Sequence, residues 1–242
     1  MQMQHLPVFN QRPSIQVVPI GPNKFAYVVD DVLLNPESLV ELAVLHRSEF
    51  KLPKVFAYPG LELPMDPDFA GRLDDFFRLH IRRLIGGRRS VKMSCRLSMV
   101  SFKPQELVPR QWNCHRDLDD VAFGQCIAAS VLYLFEDSRL GGTSFYVPKL
   151  GPVETNQLVR DAVAMDGPEF SRRYGVAPGY MVDSNDYFER FCTLPAKWNR
   201  MVFYDGAVFH SGDIAEPQRL STDPKAGRLT LNGFFACTRV AS

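Results

Sequence analysis

Gly227-Arg228-Leu229-Thr230-Leu231-Asn232-Gly233-Phe234-Phe235 reads as a β-strand with two unlike faces. Side chains alternate along a strand, so Arg228, Thr230, Asn232 and Phe234 share one side while Leu229, Leu231 and Phe235 share the other. The apolar side calls for a packed layer, and the side led by Arg228 calls for a polar partner. Upstream, strands are expected over Cys95–Lys103, Trp112–Asp117, Ile127–Phe135, Thr143–Val147 and Arg200–Asp205, most of them bounded by turn residues. Many strands without regular helix alternation argue for a β-sandwich or barrel with helices on its outside.

The first part of the chain supplies those helices. Ser14–Ile20 and Lys24–Asp30 read as strands joined by Gly21-Pro22-Asn23. A helix is expected to start at Asn35 as cap with Pro36 as first residue, carrying a Leu39, Leu42 and Leu45 stripe. Residues 51–65, rich in proline and apolar residues, read as an extended loop. A second helix runs from the Asp66 cap and Pro67 to the stop at Gly86-Gly87, with Phe69, Leu73, Phe76, Phe77 and Leu84 on its apolar face. The expected organisation is a single domain over 1–242: N-terminal strands and supporting helices over 1–94, and the β core over 95–237. An insertion over 149–195, with helices around Glu154–Met165 and Pro168–Tyr174, is long enough to serve as a lid.

Composition narrows the function classes. Lys+Arg is 28 and Asp+Glu is 27 in 242 residues, a balance that gives no reason to expect a nucleic-acid or membrane surface. The short basic cluster Arg82, Arg83, Arg88 and Arg89 reads as a solvated helix end and loop. The five cysteines form no C-x-x-C pair, which favours a reducing, cytoplasmic setting over a disulfide framework. Met1 to Arg12 has no apolar signal-peptide core, and no run approaches a membrane span of about 20 apolar residues.

The chemistry-bearing residues are His115-Arg116-Asp117 and His210. On a strand, His115 and Asp117 would face one cavity while Arg116 points away. Of the five histidines, His5, His46 and His80 lie in the tail or near helices, which leaves His210 in a strand-end context. Two imidazoles and one carboxylate leave iron with open positions, an arrangement suited to non-haem Fe(II) oxygenases. The H-x-D tripeptide alone is cheap, and a lone histidine is more often a core or surface residue. Arg228 adds weight, because a buried guanidinium needs an anion, and its fork suits a carboxylate with Thr230 adding a hydroxyl. An ordinary Asp or Glu partner would satisfy it equally.

Taken in order, four blocks resemble the Fe(II)- and 2-oxoglutarate-dependent oxygenases, in the prolyl-hydroxylase-like branch. They are His115-Arg-Asp117; Val131-Leu-Tyr-Leu-Phe with Gly141-Gly-Thr-Ser-Phe-Tyr; Asn199-Arg-Met-Val-Phe-Tyr-Asp-Gly leading to His210; and Gly227-Arg-Leu-Thr-Leu-Asn-Gly-Phe-Phe. The resemblance implies a mainly β fold with flanking helices around a double-stranded β-helix, the jelly-roll or cupin-like core. It implies His115, Asp117 and His210 as Fe(II) ligands and Arg228, with Thr230, on the C5 carboxylate of 2-oxoglutarate. Tyr133 would help bind the co-substrate or serve as a core aromatic. The implied activity is a dioxygenase that uses O2, releases succinate and CO2, and hydroxylates a small molecule such as an amino acid or natural-product intermediate. A peptidyl side chain is the alternative substrate, and a cupin-like isomerase or non-catalytic binding jelly roll the alternative class. Ser211–Ala226 is longer than usual for the family, which leaves Arg219 and Lys225 as competing anchors. The family's frequent tyrosine before H-x-D is Phe102 here, and Trp112, Asn113, Tyr180, Asp183, Asn185, Asp186 and Tyr187 are candidates for the site mouth.

Overall fold

The computed structural model describes residues 7–53, 58–117 and 124–239. Strands β1 (Ile15–Gly21) and β2 (Lys24–Val29) form a hairpin across Pro22-Asn23, with Asn23 at φ 54°. Proline followed by a residue at positive φ is the chemistry of a type II turn. Next come α1 (Glu37–Leu45), β3 (Gly60–Pro64), α2 (Pro67–His80) and β4 (Gly87–Val100). The second half holds β5 (Gln125–Tyr133), β6 (Thr143–Pro148), α3 (Pro152–Ala164), α4 (Gly167–Tyr174), β7 (Phe188–Leu194), β8 (Met201–Asp205), β9 (Phe209–Gly212) and β10 (Arg228–Arg239).

All strand pairs are antiparallel and fall into two sheets, β1-β2-β8-β5-β10-β4-β3 and β7-β6-β9. The sheets face each other as a jelly roll with helices outside. Alternation divides neighbouring residues between layers. Phe235 joins Phe69, Leu73, Phe77, Phe203 and Leu231 beneath α2, and the Phe77 and Phe235 rings stack at 4.0 Å. Phe234 turns the other way, toward Ala129, Tyr133, Phe145, Val202 and Tyr204 between the sheets. A third cluster packs α3 and α4 against the outer side of the small sheet, through Leu158, Ala162 and Phe170 on Trp112, Tyr146 and Phe209. No helix among the described residues is long and apolar enough to cross a membrane.

Several expected elements differ. Asn35 does not cap α1 through its side chain; its Oδ1 accepts from the Val8 amide, and Pro36 takes the cap position. Asp66 caps α2 as expected, with Oδ1 accepting from the Phe69 amide at 2.8 Å. Residues 60–64, read as loop, form edge strand β3, where prolines are tolerated because an outward backbone position needs no donor. The expected strand over Trp112–Asp117 is an irregular segment after a 3-10 turn, holding one bridge between His115 and His210.

At the start of β8, Arg200 forks onto Asp30, with Nε–Oδ1 2.6 Å and Nη2–Oδ2 3.0 Å, and Lys197 adds a contact at 2.9 Å. The Arg200 hydrogen bond is the main reason the Asp30 carboxyl titrates at about 2. A depressed carboxyl stabilises the fold above its unfolded-state pKa, and that contribution vanishes as pH falls through the folded value. Asp30→Asn is therefore expected to cost about 1–2 kcal/mol at neutral pH. The deficit relative to wild type should close as pH drops from about 4 to about 2. Urea melts at several pH values measure it, and a deficit independent of pH would refute the ion-pair origin.

Candidate metal centre

His115 and His210 exchange both backbone hydrogen bonds, each 2.9 Å, which fastens the irregular segment to β9. Asp117 is held two residues on by its amide, which donates to the Gly206 carbonyl at 2.8 Å. Gly206 permits that approach, since a Cβ there would lie 3.1 Å from the Asp117 Cβ and 2.7 Å from Ile127. His115 and Asp117 thus reach one cleft without lying on a regular strand.

The imidazole rings stand 4.4 Å apart, and the three donor atoms lie within 4.8 Å of one another. Asp117 Oδ2 is 3.3 Å from His210 Nε2, and Oδ1 is 3.8 Å from His115 Nε2. Donors bound about 2.1 Å from a common ion at right angles lie about 3 Å apart, so the set fits a divalent cation after small adjustments. His210 Nδ1 lies 2.9 Å from the Val208 carbonyl. A carbonyl can only accept, so Nδ1 carries a proton and the Nε2 lone pair of the neutral ring faces Asp117. Tyr204 and Phe145 wall the His210 ring, with centroids at 4.7 and 6.3 Å.

The charges are coupled. Burial alone would raise the Asp117 carboxyl, but His210, then His115 and Arg96, hold it below its usual range. Burial works against a charged His210, yet Asp117 overrides it and pushes its pKa up. His115 has half of its side chain exposed, but its protein surroundings and His210 depress its pKa to about 4. A metal needs neutral imidazoles, so loading must displace a proton held by His210 but none from His115. Divalent-ion affinity is expected to rise as pH climbs through the raised His210 pKa, with up to one proton released per ion below it. Calorimetry in buffers of different ionisation enthalpy counts that proton, and no release would mean a neutral His210 in the free protein.

Deeper between the sheets, Arg228 is 4% exposed. Its Nε and Nη2 donate to the carbonyls of Gly141 and Gly142 at 3.1 and 2.8 Å. No carboxylate among the described residues forms an ion pair with it. Gly141 sits at φ +85°, and a Cβ there would meet the Asp213 carbonyl oxygen at 1.9 Å, so only glycine brings this turn to the guanidinium. Tyr133 and Phe135 flank the Arg228 cation at 6.0 and 5.8 Å, and the Tyr133 hydroxyl bonds Thr143 at 2.7 Å. Thr230 is buried, with one long bond of 3.4 Å to the Ser98 carbonyl. The Ser98 and Tyr58 hydroxyls are buried without a well-formed hydrogen bond. Burial raises the Tyr58 hydroxyl to about 12 against the opposing pull of Arg228. A guanidinium with no acid beside it and hydroxyls with bonding capacity left fits a carboxylate ligand.

Of the competing cations, Arg219 pairs with Glu216 on the surface and Lys225 is exposed. Tyr180 donates to the Phe102 carbonyl at 2.7 Å, and Asn185 donates to Asn113 at 3.1 Å. Tyr58, Ser98 and Tyr204 carried no site assignment in the sequence. Tyr58 lies in a stretch without periodicity, and Ser98 depends on its pairing opposite Thr230. A surface cleft of about 370 Å³ between Ser101–Gln105 and Pro217–Leu220 lies apart from the triad, and none of its side chains is a customary metal ligand.

A family model described as "Family of unknown function (DUF6445)" matches residues 11–235. No protein of curated function matches the chain in sequence. Similar solved structures include a Pseudomonas putida prolyl-4-hydroxylase, at 15% identity, 85% of this chain and 86% of that one, with a TM-score of 0.40. HygX from Streptomyces hygroscopicus, with nickel and 2-oxoglutarate bound, is 10% identical over 88% and 82% of the two chains, with a TM-score of 0.47. The epimerase SnoN, in complex with Fe3+, alpha ketoglutarate and nogalamycin RO, is 14% identical over 89% and 81%, with a TM-score of 0.42.

Proposed function

The chain belongs to the family of unknown function DUF6445, and from its site we propose that it is an Fe(II)- and 2-oxoglutarate-dependent dioxygenase acting on a small molecule. One observation carries this reading. Between the same two sheets stand a His-Asp-His cluster and, deeper, a buried guanidinium without an acid partner among the described residues. A closed structural zinc site would need a fourth protein ligand and would have no use for Arg228.

His115, Asp117 and His210 would hold the iron on one side. Arg228 would clamp the C5 carboxylate of 2-oxoglutarate, with Thr230 adding a hydroxyl and Tyr133 forming the wall beside it. Bound there, iron supplies the oxygen chemistry, in which R–H, O2 and 2-oxoglutarate give R–OH, succinate and CO2. The chain's part is to fix the donors, supply the counter-charge and keep water out. Tyr204 and Phe145 pack against His210 for that purpose, and the Val208 carbonyl fixes its tautomer. Five unpaired cysteines fit the reducing cytoplasmic setting that we also propose.

Anaerobic addition of Fe(II) and then 2-oxoglutarate to the full chain tests this reading. The family resemblance implies a visible charge-transfer band on chelation, and air should then convert 2-oxoglutarate to succinate. A protein that binds Fe(II) but gives neither band nor succinate overturns the proposal.

A further inference from the structure

The inner face of the large sheet divides into two halves. Its β8 and β5 half is largely apolar, with Val202, Tyr204, Ala129 and Val131. Its β10, β4 and β3 half is polar, and the register orders that half. Thr230 lies opposite Ser98, which lies opposite Glu62; Asn232 lies opposite Arg96. Leu61 and Leu63 pack outward beneath the helices, so Glu62 between them turns inward.

Glu62 and Arg96 form an ion pair, Oε1–Nε 2.8 Å, with side chains 12% and 36% exposed. Neither atom has a well-aligned hydrogen bond in that contact. The Arg96 guanidinium lies 4.5 Å over the Phe234 ring, and its charge reaches Asp117. Asn232 is 9% exposed, and its amide makes no hydrogen bond to any described residue. The amide atoms are not sealed from the cleft, so they are free to bond to a ligand there. The triad and Arg228 use none of these four residues.

We propose that Glu62, Arg96, Asn232 and Phe234 form the recognition site for the primary substrate, and that this substrate is a free, zwitterionic α-amino acid. The assignment rests on the dioxygenase reading of the neighbouring triad. Glu62 takes the ammonium group, Arg96 takes the carboxylate, and the Asn232 amide bonds to either. The Phe234 ring lies beside the aliphatic stem, and the substrate side chain runs toward the triad. A zwitterion suits an existing ion pair because each charge meets its opposite and the site gains no net charge. An N-acylated or peptidyl residue lacks the ammonium and would leave Glu62 facing an amide.

The test uses the full chain loaded with nickel and 2-oxoglutarate, which permits binding without turnover. Pools of the free L-amino acids are screened by ligand-observed NMR, and hits are compared with their N-acetyl and carboxamide forms by calorimetry. At least one free amino acid should bind, and each blocked form should bind about tenfold or more weakly. Glu62→Gln should abolish the preference for the free amine, and Arg96→Gln the preference for the free carboxylate. Both should still bind 2-oxoglutarate, because its anchor Arg228 is untouched, although Glu62 stands opposite Ser98 and both charges reach Tyr58. A variant that fails to fold is replaced by Asn232→Ala, which should weaken both forms together. Wild type that binds 2-oxoglutarate but no free amino acid, or that binds the N-acetyl form equally well, overturns this site and leaves the dioxygenase reading standing. Wild type that binds no 2-oxoglutarate overturns both.

Discussion

Asp117→Ala should weaken divalent-metal binding by roughly 100-fold or more, since losing mere support around a ligand already costs about 10–100-fold. It should also abolish succinate formation. Among the described residues Asp117 is the only carboxylate in the cluster, and its two oxygens face both imidazoles at 3.3 and 3.8 Å. The variant carries a second signature in the metal-free protein. Asp117 is the main group holding the His210 pKa up, so without it burial pulls that pKa down. Metal binding by Asp117→Ala should then be weak and, at a given pH, release fewer protons than binding by wild type. Asp117→Asn preserves the shape and should share the loss, because an amide oxygen carries no compensating charge. Calorimetric titration with Co(II) or Ni(II) reads both effects. Unchanged affinity in Asp117→Ala removes Asp117 from the ligand set, and unchanged proton release removes the coupling to His210.

The sequence was most readable where local chemistry and tertiary packing agree. Strand β10 alternates Arg228, Thr230, Asn232 and Phe234 against Leu229, Leu231 and Phe235, and all but the partly exposed Phe234 are buried as that pattern demands. Asp66-Pro67 announces α2 because capping is a contact within three residues. The convergence of His115, Asp117 and His210 was legible for a partly mistaken reason. His115 and Asp117 converge through a bridge to His210 and a bond to Gly206, long-range contacts that no local pattern encodes. Edge strand β3 was hidden by its flanking prolines. Strand β7 was hidden because Glu189, Arg190 and Phe191 are all exposed, which erases the two-residue period. Tyr58 and the Glu62–Arg96 pair became visible only through register, since which residues of β3, β4 and β10 stand abreast depends on pairings far apart in the chain.

Arg228→Ala should weaken 2-oxoglutarate binding by roughly 30-fold to several thousand-fold, the equivalent of about 2–5 kcal/mol for truncating one side of a buried charge pair. The alternative role for Arg228 is purely structural, because its Nε and Nη2 already serve the Gly141 and Gly142 carbonyls. Those bonds are to neutral acceptors and leave the positive charge uncompensated. A purely structural cross-link would hardly justify burying a cation at 4% exposure with no acid beside it among the described residues. The two roles separate experimentally. Truncation strands the Gly141 carbonyl, whereas that of Gly142 still accepts from the Asp213 amide at 3.1 Å, so Arg228→Ala should melt lower than wild type whatever the ligand, by about 1–3 kcal/mol. Arg228→Lys keeps the charge but loses the fork, so it should bind 2-oxoglutarate better than the alanine variant and worse than wild type. Ligand added at 100 times its Kd stabilises a native protein by about 2.7 kcal/mol. 2-Oxoglutarate at such a concentration should therefore raise the Tm of the metal-loaded wild type while leaving Arg228→Ala almost unmoved. Arg219 offers the control, because it pairs with Glu216 at the surface, where ion pairs contribute about 0–1 kcal/mol. Arg219→Ala should leave the response to 2-oxoglutarate intact. If Arg219→Ala abolishes that response and Arg228→Ala retains it, the anchor lies in the Ser211–Ala226 loop and Arg228 serves only to join the two sheets.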